Sequence, residues 1–175
     1  MARVAFIVGE DFEDTEFRVP FDRVRKAGHE AVVVGAKAGQ ELHGKKGKET
    51  VRTEQAASQL DARDFDAVVI PGGYSPDHLR MDPGVVSFVR DASRAQKPIA
   101  AVCHGPSLLI EADLVRGRTL TSWPSIRRDL INAGATWVDE RVVEDGGIIT
   151  SRNPHDVEAF SEAIIKHLPS RHAKR

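Results

Sequence analysis

The stretch Ile99-Ala100-Ala101-Val102-Cys103-His104-Gly105-Pro106-Ser107 decides the fold. Four successive apolar residues, without polar alternation, describe a strand buried on both faces. A glycine and then a proline follow within four positions, and proline is favoured in the first turn of a helix. Cys103 therefore falls on a sharp strand-to-helix turn.

The same texture repeats on either side. Val4–Val8, Ala31–Val34 and Ala67–Ile70 are further apolar runs of strand length. Between them lie helical patterns. Thr15–Ala27 carries Phe17, Phe21, Val24 and Ala27 at helical spacing, and Gly28 stops it. Asp82-Pro83-Gly84 opens a helix to about Ala95, Pro106–Ala112 and Ile126–Ala133 are two more, and Asn153-Pro154 caps a last one over His155–Leu168. Arg141–Asp145 and Ile148–Ser151 flank Gly146-Gly147 as a hairpin. Gly39–Lys48 reads as an exposed β-turn loop, and Pro169–Arg175 as a short basic, solvated end. Strands alternating with helices predict a parallel or mostly parallel α/β sheet covered on both faces.

Composition bounds the function. The chain has 175 residues, read as one domain over 1–175, with 41% hydrophobic residues. Charged residues make up 29%, yet 25 Lys+Arg against 26 Asp+Glu leave a net charge of −1. That excludes disorder of the low-hydrophobicity type and gives no basic excess for nucleic acid or an anionic membrane. A single cysteine allows no intrachain disulfide and no Cys-rich zinc site. The first residues hold only five successive apolar positions before Gly9, too few for a secretory signal, and no run approaches the ~18 apolar residues of a membrane span. The expected location is the cytoplasm.

In sheets of this kind ligands bind beyond the carboxyl ends of the strands. Three post-strand segments thus hold the candidates: Glu10–Asp14, Pro71-Gly72-Gly73-Tyr74 and Cys103-His104-Gly105. A cysteine on such a turn is presented as a nucleophile, and a helix start lowers a thiol pKa. A buried structural cysteine is the competing reading. His104 beside it can hold the thiolate or move its proton, and the glycine pair can aim backbone N–H groups at an oxyanion. One of Glu10, Asp11, Glu13 and Asp14, turned inward, would be pushed toward its protonated form and donate to the sulfur; the residues alone do not choose among the four.

Taken together, an ordered set of motifs resembles the PfpI family of the ThiJ/PfpI superfamily. The set is Glu10-Asp11-Phe12-Glu13-Asp14-Thr15-Glu16, Gly28-His29-Glu30, Ile70-Pro71-Gly72-Gly73, Ala101-Val102-Cys103-His104-Gly105-Pro106, Thr121-Ser122-Trp123-Pro124, Asn132–Val138 and Thr150-Ser151-Arg152-Asn153-Pro154. The resemblance implies a flavodoxin-like three-layer fold. It assigns Cys103 as nucleophile, Glu13 as the protonated acid on the sulfur and His104 as the histidine of a Cys-His-acid set. Asp77, where the family pattern has glutamate, becomes the acid supplied by a neighbouring subunit. The backbone N–H groups of Gly73 and His104 are implied as oxyanion donors, with Gly72 and Gly105 also at the oxyanion or substrate and Trp123, in place of a common tyrosine, as a pocket wall. A homo-oligomer follows, at least a dimer and up to a hexamer, with neither metal nor organic cofactor. Three activities fit the resemblance. The first is chemistry on reactive carbonyls or glycated protein and nucleotide adducts, of deglycase or glyoxalase type; the others are a cysteine peptidase and a redox-sensing or holdase-like stress protein.

Overall fold

The computed structural model describes residues 1–169; 170–175, most of the basic end, lie outside the described residues. The elements in chain order begin with β1 (Arg3–Ile7), α1 (Asp14–Lys26), β2 (Glu30–Gly35), β3 (Glu41–His43), β4 (Thr50–Arg52) and β5 (Gln55–Ala56). Next come β6 (Ala67–Ile70), α2 (Ser75–Leu79), α3 (Pro83–Arg94), β7 (Ile99–Val102), α4 (Pro106–Glu111) and β8 (Thr119–Leu120). The chain continues through α5 (Arg127–Asn132), β9 (Thr136–Trp137), β10 (Val142–Asp145), β11 (Ile148–Ser151) and α6 (Val157–Lys166).

Seven strands form the central sheet in the order β10-β11-β7-β6-β1-β2-β5. Only the β10–β11 hairpin, closed by Gly146 and Gly147, pairs antiparallel in it. This is the flavodoxin-like architecture expected from the sequence.

Two apolar layers explain why the strands read as unbroken hydrophobic runs. Ala5 and Ile7 of β1 pack toward Val85, Phe88 and Val89 of α3 and Leu108 and Leu109 of α4. Val4, Phe6 and Val8 pack the other way, with Phe17 and Val24 of α1 and Phe160 and Ile164 of α6. Residues successive in a strand point to opposite faces, so helices on both sides demand apolar side chains at every position.

The 39–48 stretch contains the exposed turn expected, and the turn closes the β3–β4 hairpin, which is folded back over the carboxyl end of β1. The buried Asp14 carboxylate holds it by accepting backbone N–H groups from Lys46 (2.9 Å), Lys48 (3.0 Å) and Glu49 (2.9 Å). Lys45 N–H adds a bond to Phe12 O at 2.8 Å. The lysine side chains remain exposed, as expected, while their backbone is fixed.

Candidate active site

Strands β7, β6 and β1 are neighbours, so the segments that follow them meet at one edge of the sheet. The chain leaves β1 toward β2 and β5 and returns at β6, which makes the β1/β6 boundary the switch point where such folds bind ligands. A cavity of about 540 Å³ between Leu60, Arg63, Asp91 and Arg94 lies at the amino ends of the strands and contains no nucleophile.

Cys103 has φ of 64°, in the left-handed region that costs a non-glycine residue on the order of 1–3 kcal/mol. Its N–H bonds Ser151 O at the end of β11 (3.0 Å), and its C=O accepts from Trp123 N–H (2.9 Å). The backbone is thus clamped from both sides, and the sulfur points toward the segment after β6. Backbone N–H groups of Gly73 and His104 donate to it. Gly73 has φ of 77°, and a Cβ there would stand 2.5 Å from Asp11 O and 2.6 Å from Glu13 N, so only glycine fits.

The acid on the sulfur is Glu16, not Glu13. Glu13 is the N-cap of α1: its Oε2 accepts from Glu16 N–H (3.0 Å) and the Thr15 hydroxyl (2.6 Å), and its Oε1 pairs with Lys46 Nζ at 2.9 Å. Those partners hold Glu13 below its ordinary pKa against the opposing effect of burial, so it is an anion turned away from Cys103. One helical turn on, Glu16 is wholly buried, and its Oε1 accepts Gly72 N–H at 2.9 Å. Its Oε2 has no nitrogen or oxygen partner, leaving the carboxyl facing the Cys103 sulfur. Burial first, and the nearby Glu13 charge second, push Glu16 up to about 8. At neutral pH it is a protonated acid.

The thiol itself is not the simple low-pKa group expected from a helix start. Cys103 is only 5% exposed, and burial, followed by the charge Glu16 carries when ionised, pushes it up to about 12. The Gly73 and His104 N–H groups and the Lys45 charge work in the opposite direction. Two groups in contact cannot both be anionic, so the pair shares protons. While Glu16 holds one, its repulsion on the sulfur is absent.

His104 Nδ1 lies 3.4 Å from Cys103 Sγ, and Nε2 lies 3.2 Å from the Ser125 hydroxyl, a partner the sequence did not single out. Burial, then the Lys45 charge, lowers the imidazole pKa, so it is neutral at pH 7. Asp77, in α2, is exposed and forms no side-chain hydrogen bond or ion pair among the described residues; one chain alone does not bring it to His104. Two of the expected oxyanion glycines have other tasks. The Gly72 N–H is engaged by Glu16, and the Gly105 N–H by Val102 O (2.8 Å), so both glycines serve close packing instead. A Cβ on Gly72 would sit 2.6 Å from Glu16 Oε1 and 2.9 Å from Cys103 Cβ; one on Gly105 would sit 2.7 Å from Ile70 O. Trp123 is 41% exposed beside the turn, available as a pocket wall. Among the described residues no group of three or more His, Cys, Asp or Glu side chains could hold a metal ion, and no helix is long and apolar enough to cross a membrane.

A flavodoxin-like sheet with a strained cysteine elbow and a buried acid against its sulfur defines a class of cysteine-centred α/β proteins. Within that class, the DJ-1/PfpI family model matches residues 2–167, and the chain belongs to that family. Protein/nucleic acid deglycase 2 of Escherichia coli K12 is 43% identical over 167 residues, covering 95% of this chain and 97% of that protein. The putative cysteine protease YraA of Bacillus subtilis is 45% identical over 166 residues, covering 95% and 98%. Among solved structures, a two-domain protein from Anabaena variabilis with DJ-1/ThiJ/PfpI-like and ferritin-like domains aligns at TM-score 0.94 and 40% identity; it covers all of this chain, which spans 52% of that one. Drosophila melanogaster DJ-1beta aligns at TM-score 0.89 and 28% identity, covering 98% of this chain and 92% of that one.

Proposed function

We propose that the protein is a cysteine-dependent hydrolase of reactive carbonyls, acting on free 2-oxoaldehydes or on the early adducts they leave on protein side chains and nucleotides. It works as a single ThiJ/PfpI domain within a homo-oligomer, in the cytoplasm, without metal or organic cofactor. The observation that carries this reading is the protonated Glu16 against the lone thiol, inside the Gly73 and His104 N–H pair.

In this reading the sulfur adds to the aldehyde carbon while neutral His104, 3.4 Å away, takes the thiol proton. The carbonyl oxygen becomes a hydroxyl with a proton from Glu16, and the two N–H groups steady the charge that develops on it. The product is a hemithioacetal. Glu16, now a carboxylate, removes the hydrogen from the sulfur-bearing carbon as a proton and returns it to the adjacent carbonyl carbon, while the hydroxyl on the sulfur-bearing carbon gives its proton to the neighbouring oxygen and becomes the thioester carbonyl. One carbon is oxidised and its neighbour reduced, giving a thioester of a 2-hydroxy acid. Water cleaves the thioester and restores the thiol, so no external oxidant is consumed. For a glycated amine, the sulfur displaces nitrogen from the adduct carbon and the free amine leaves protonated. The E. coli relative named a deglycase supports this chemistry.

The Bacillus relative named a putative cysteine protease favours a second reading, peptide cleavage by the same sulfur. Amides are poorer electrophiles than aldehydes, so this reading relies more heavily on a His-acid pair. Within one chain His104 meets the Ser125 hydroxyl, and the acid would have to be Asp77 of a neighbouring subunit.

Purified protein incubated with methylglyoxal is expected to form lactate, and Cys103→Ala to lose that activity by at least a hundredfold. Equal rates in both would remove the carbonyl reading. Cleavage of casein by wild type but not by Cys103→Ala, with methylglyoxal untouched, would install the peptidase in its place.

A further inference from the structure

The side-chain charges that act most on the Cys103 sulfur are those of Glu16 and Lys45. Glu16 is protonated at pH 7 and His104 is uncharged. Glu13 is matched by Lys46, and Asp14 by three backbone N–H groups. What remains is the Lys45 ammonium. It has no carboxylate partner among the described residues, and its side chain is exposed. Its backbone is tied to Phe12, its ammonium faces Tyr74, and its charge acts on Cys103, Glu16 and His104.

Its position is built rather than incidental. The Lys45 N–H bonds Phe12 O, and the turn it occupies is held by Asp14. The ammonium lies 5.9 Å from the ring centroid of Tyr74, the 66% exposed residue directly after Gly73. A cation held between two anchored segments at the edge of the site, with no carboxylate partner among the described residues of its own chain, can receive an anion.

We propose that Lys45 is a specificity-determining residue that selects compounds carrying an anionic group, a carboxylate or a phosphate, close to the carbon attacked by Cys103. The substrate class so defined deepens the carbonyl reading and rests on it. Its test does not require turnover.

Cys103 is alkylated in the folded protein by two reagents of similar size and opposite demand, neutral iodoacetamide and anionic iodoacetate. The ratio of their rates cancels any change in thiolate content, because the same sulfur reacts with both. In Lys45→Gln the iodoacetate-to-iodoacetamide ratio is expected to fall about fivefold, the size that one solvent-exposed ion pair supports. Lys45→Arg should keep the wild-type ratio. In 1 M NaCl, where the screening length is about 3 Å, the wild-type ratio should drop toward that of Lys45→Gln without any substitution. A ratio unchanged both in Lys45→Gln and in high salt overturns the proposal, as does a folded protein whose Cys103 reacts with neither reagent. Absence of turnover both of methylglyoxal and of a carboxylate-bearing 2-oxoaldehyde, with the ratio intact, would sink the carbonyl reading and leave the anion site standing.

Discussion

Replacing Glu16 with glutamine keeps the shape of the side chain and the acceptor for Gly72 N–H, and removes one ionisation. In the folded chain that ionisation lies near 8; in the unfolded chain it returns to about 4.5. The sign follows from proton counting. Between these values the folded state holds a proton that the unfolded state has released, so stability falls as pH rises from about 4.5 to 8, and is level beyond. At about 1.4 kcal/mol for each pKa unit, the ceiling is roughly 4–5 kcal/mol, and relaxation around a buried acid brings the expectation to about 2–4 kcal/mol. Urea unfolding of wild type and Glu16→Gln at pH 5, 6, 7 and 8.5 measures it. Groups whose titration does not depend on the Glu16 charge cancel in the difference between the two proteins, and Cys103, which does depend on it, is pushed up to about 12, above the range covered. That difference is expected to shift in favour of the glutamine variant by about 2–4 kcal/mol between pH 5 and 8.5. A difference constant across the range to within about 0.5 kcal/mol would refute the protonated buried acid.

Other substitutions probe the frame around the pair. Asp14→Ala removes the acceptor of three backbone N–H groups and is expected to cost about 2–4 kcal/mol in urea unfolding, with faster amide exchange confined first to residues 46–49. Gly73→Ala forces a side chain onto a backbone at φ 77° and against Asp11 O, so a loss of about 2–4 kcal/mol is expected in the same assay. Gly72→Ala drives a methyl between Glu16 and Cys103; carbonyl turnover should drop at least tenfold, measured as lactate formed from methylglyoxal.

The architecture was legible because its signals are redundant. Each central strand lies between two helical layers, so Val4–Val8, Ala67–Ile70 and Ile99–Val102 are apolar throughout. Gly146-Gly147 marks the antiparallel hairpin just as plainly. The elbow cysteine was legible for a similar reason, since a buried strand and a helix start leave few residues for the turn between them.

The acid was misassigned because sequence position after a strand does not reveal which way a carboxylate turns. Glu13 lies nearer the strand, but the helix needs a cap, and its carboxylate answers the Glu16 N–H. Glu16 shares its helix face with Pro20 and Val24, both buried, and that spacing of four was the signal available for an inward acid. The hairpin over the site was harder to read. Its three lysines and three glycines look like a solvated loop, and what fixes them is a carboxylate about thirty residues earlier, a contact no local pattern encodes.

The pairing of a neutral carboxyl with the thiol is tested most directly at the carboxyl itself. With carbon-13 in glutamate side chains, the one resonance missing from Glu16→Gln belongs to Glu16, and its shift can be followed from pH 4 to 10. A midpoint near 8 is expected, against the 4.5 of an unperturbed glutamate. A resonance that titrates in the ordinary range, already ionised at pH 6, would contradict the account.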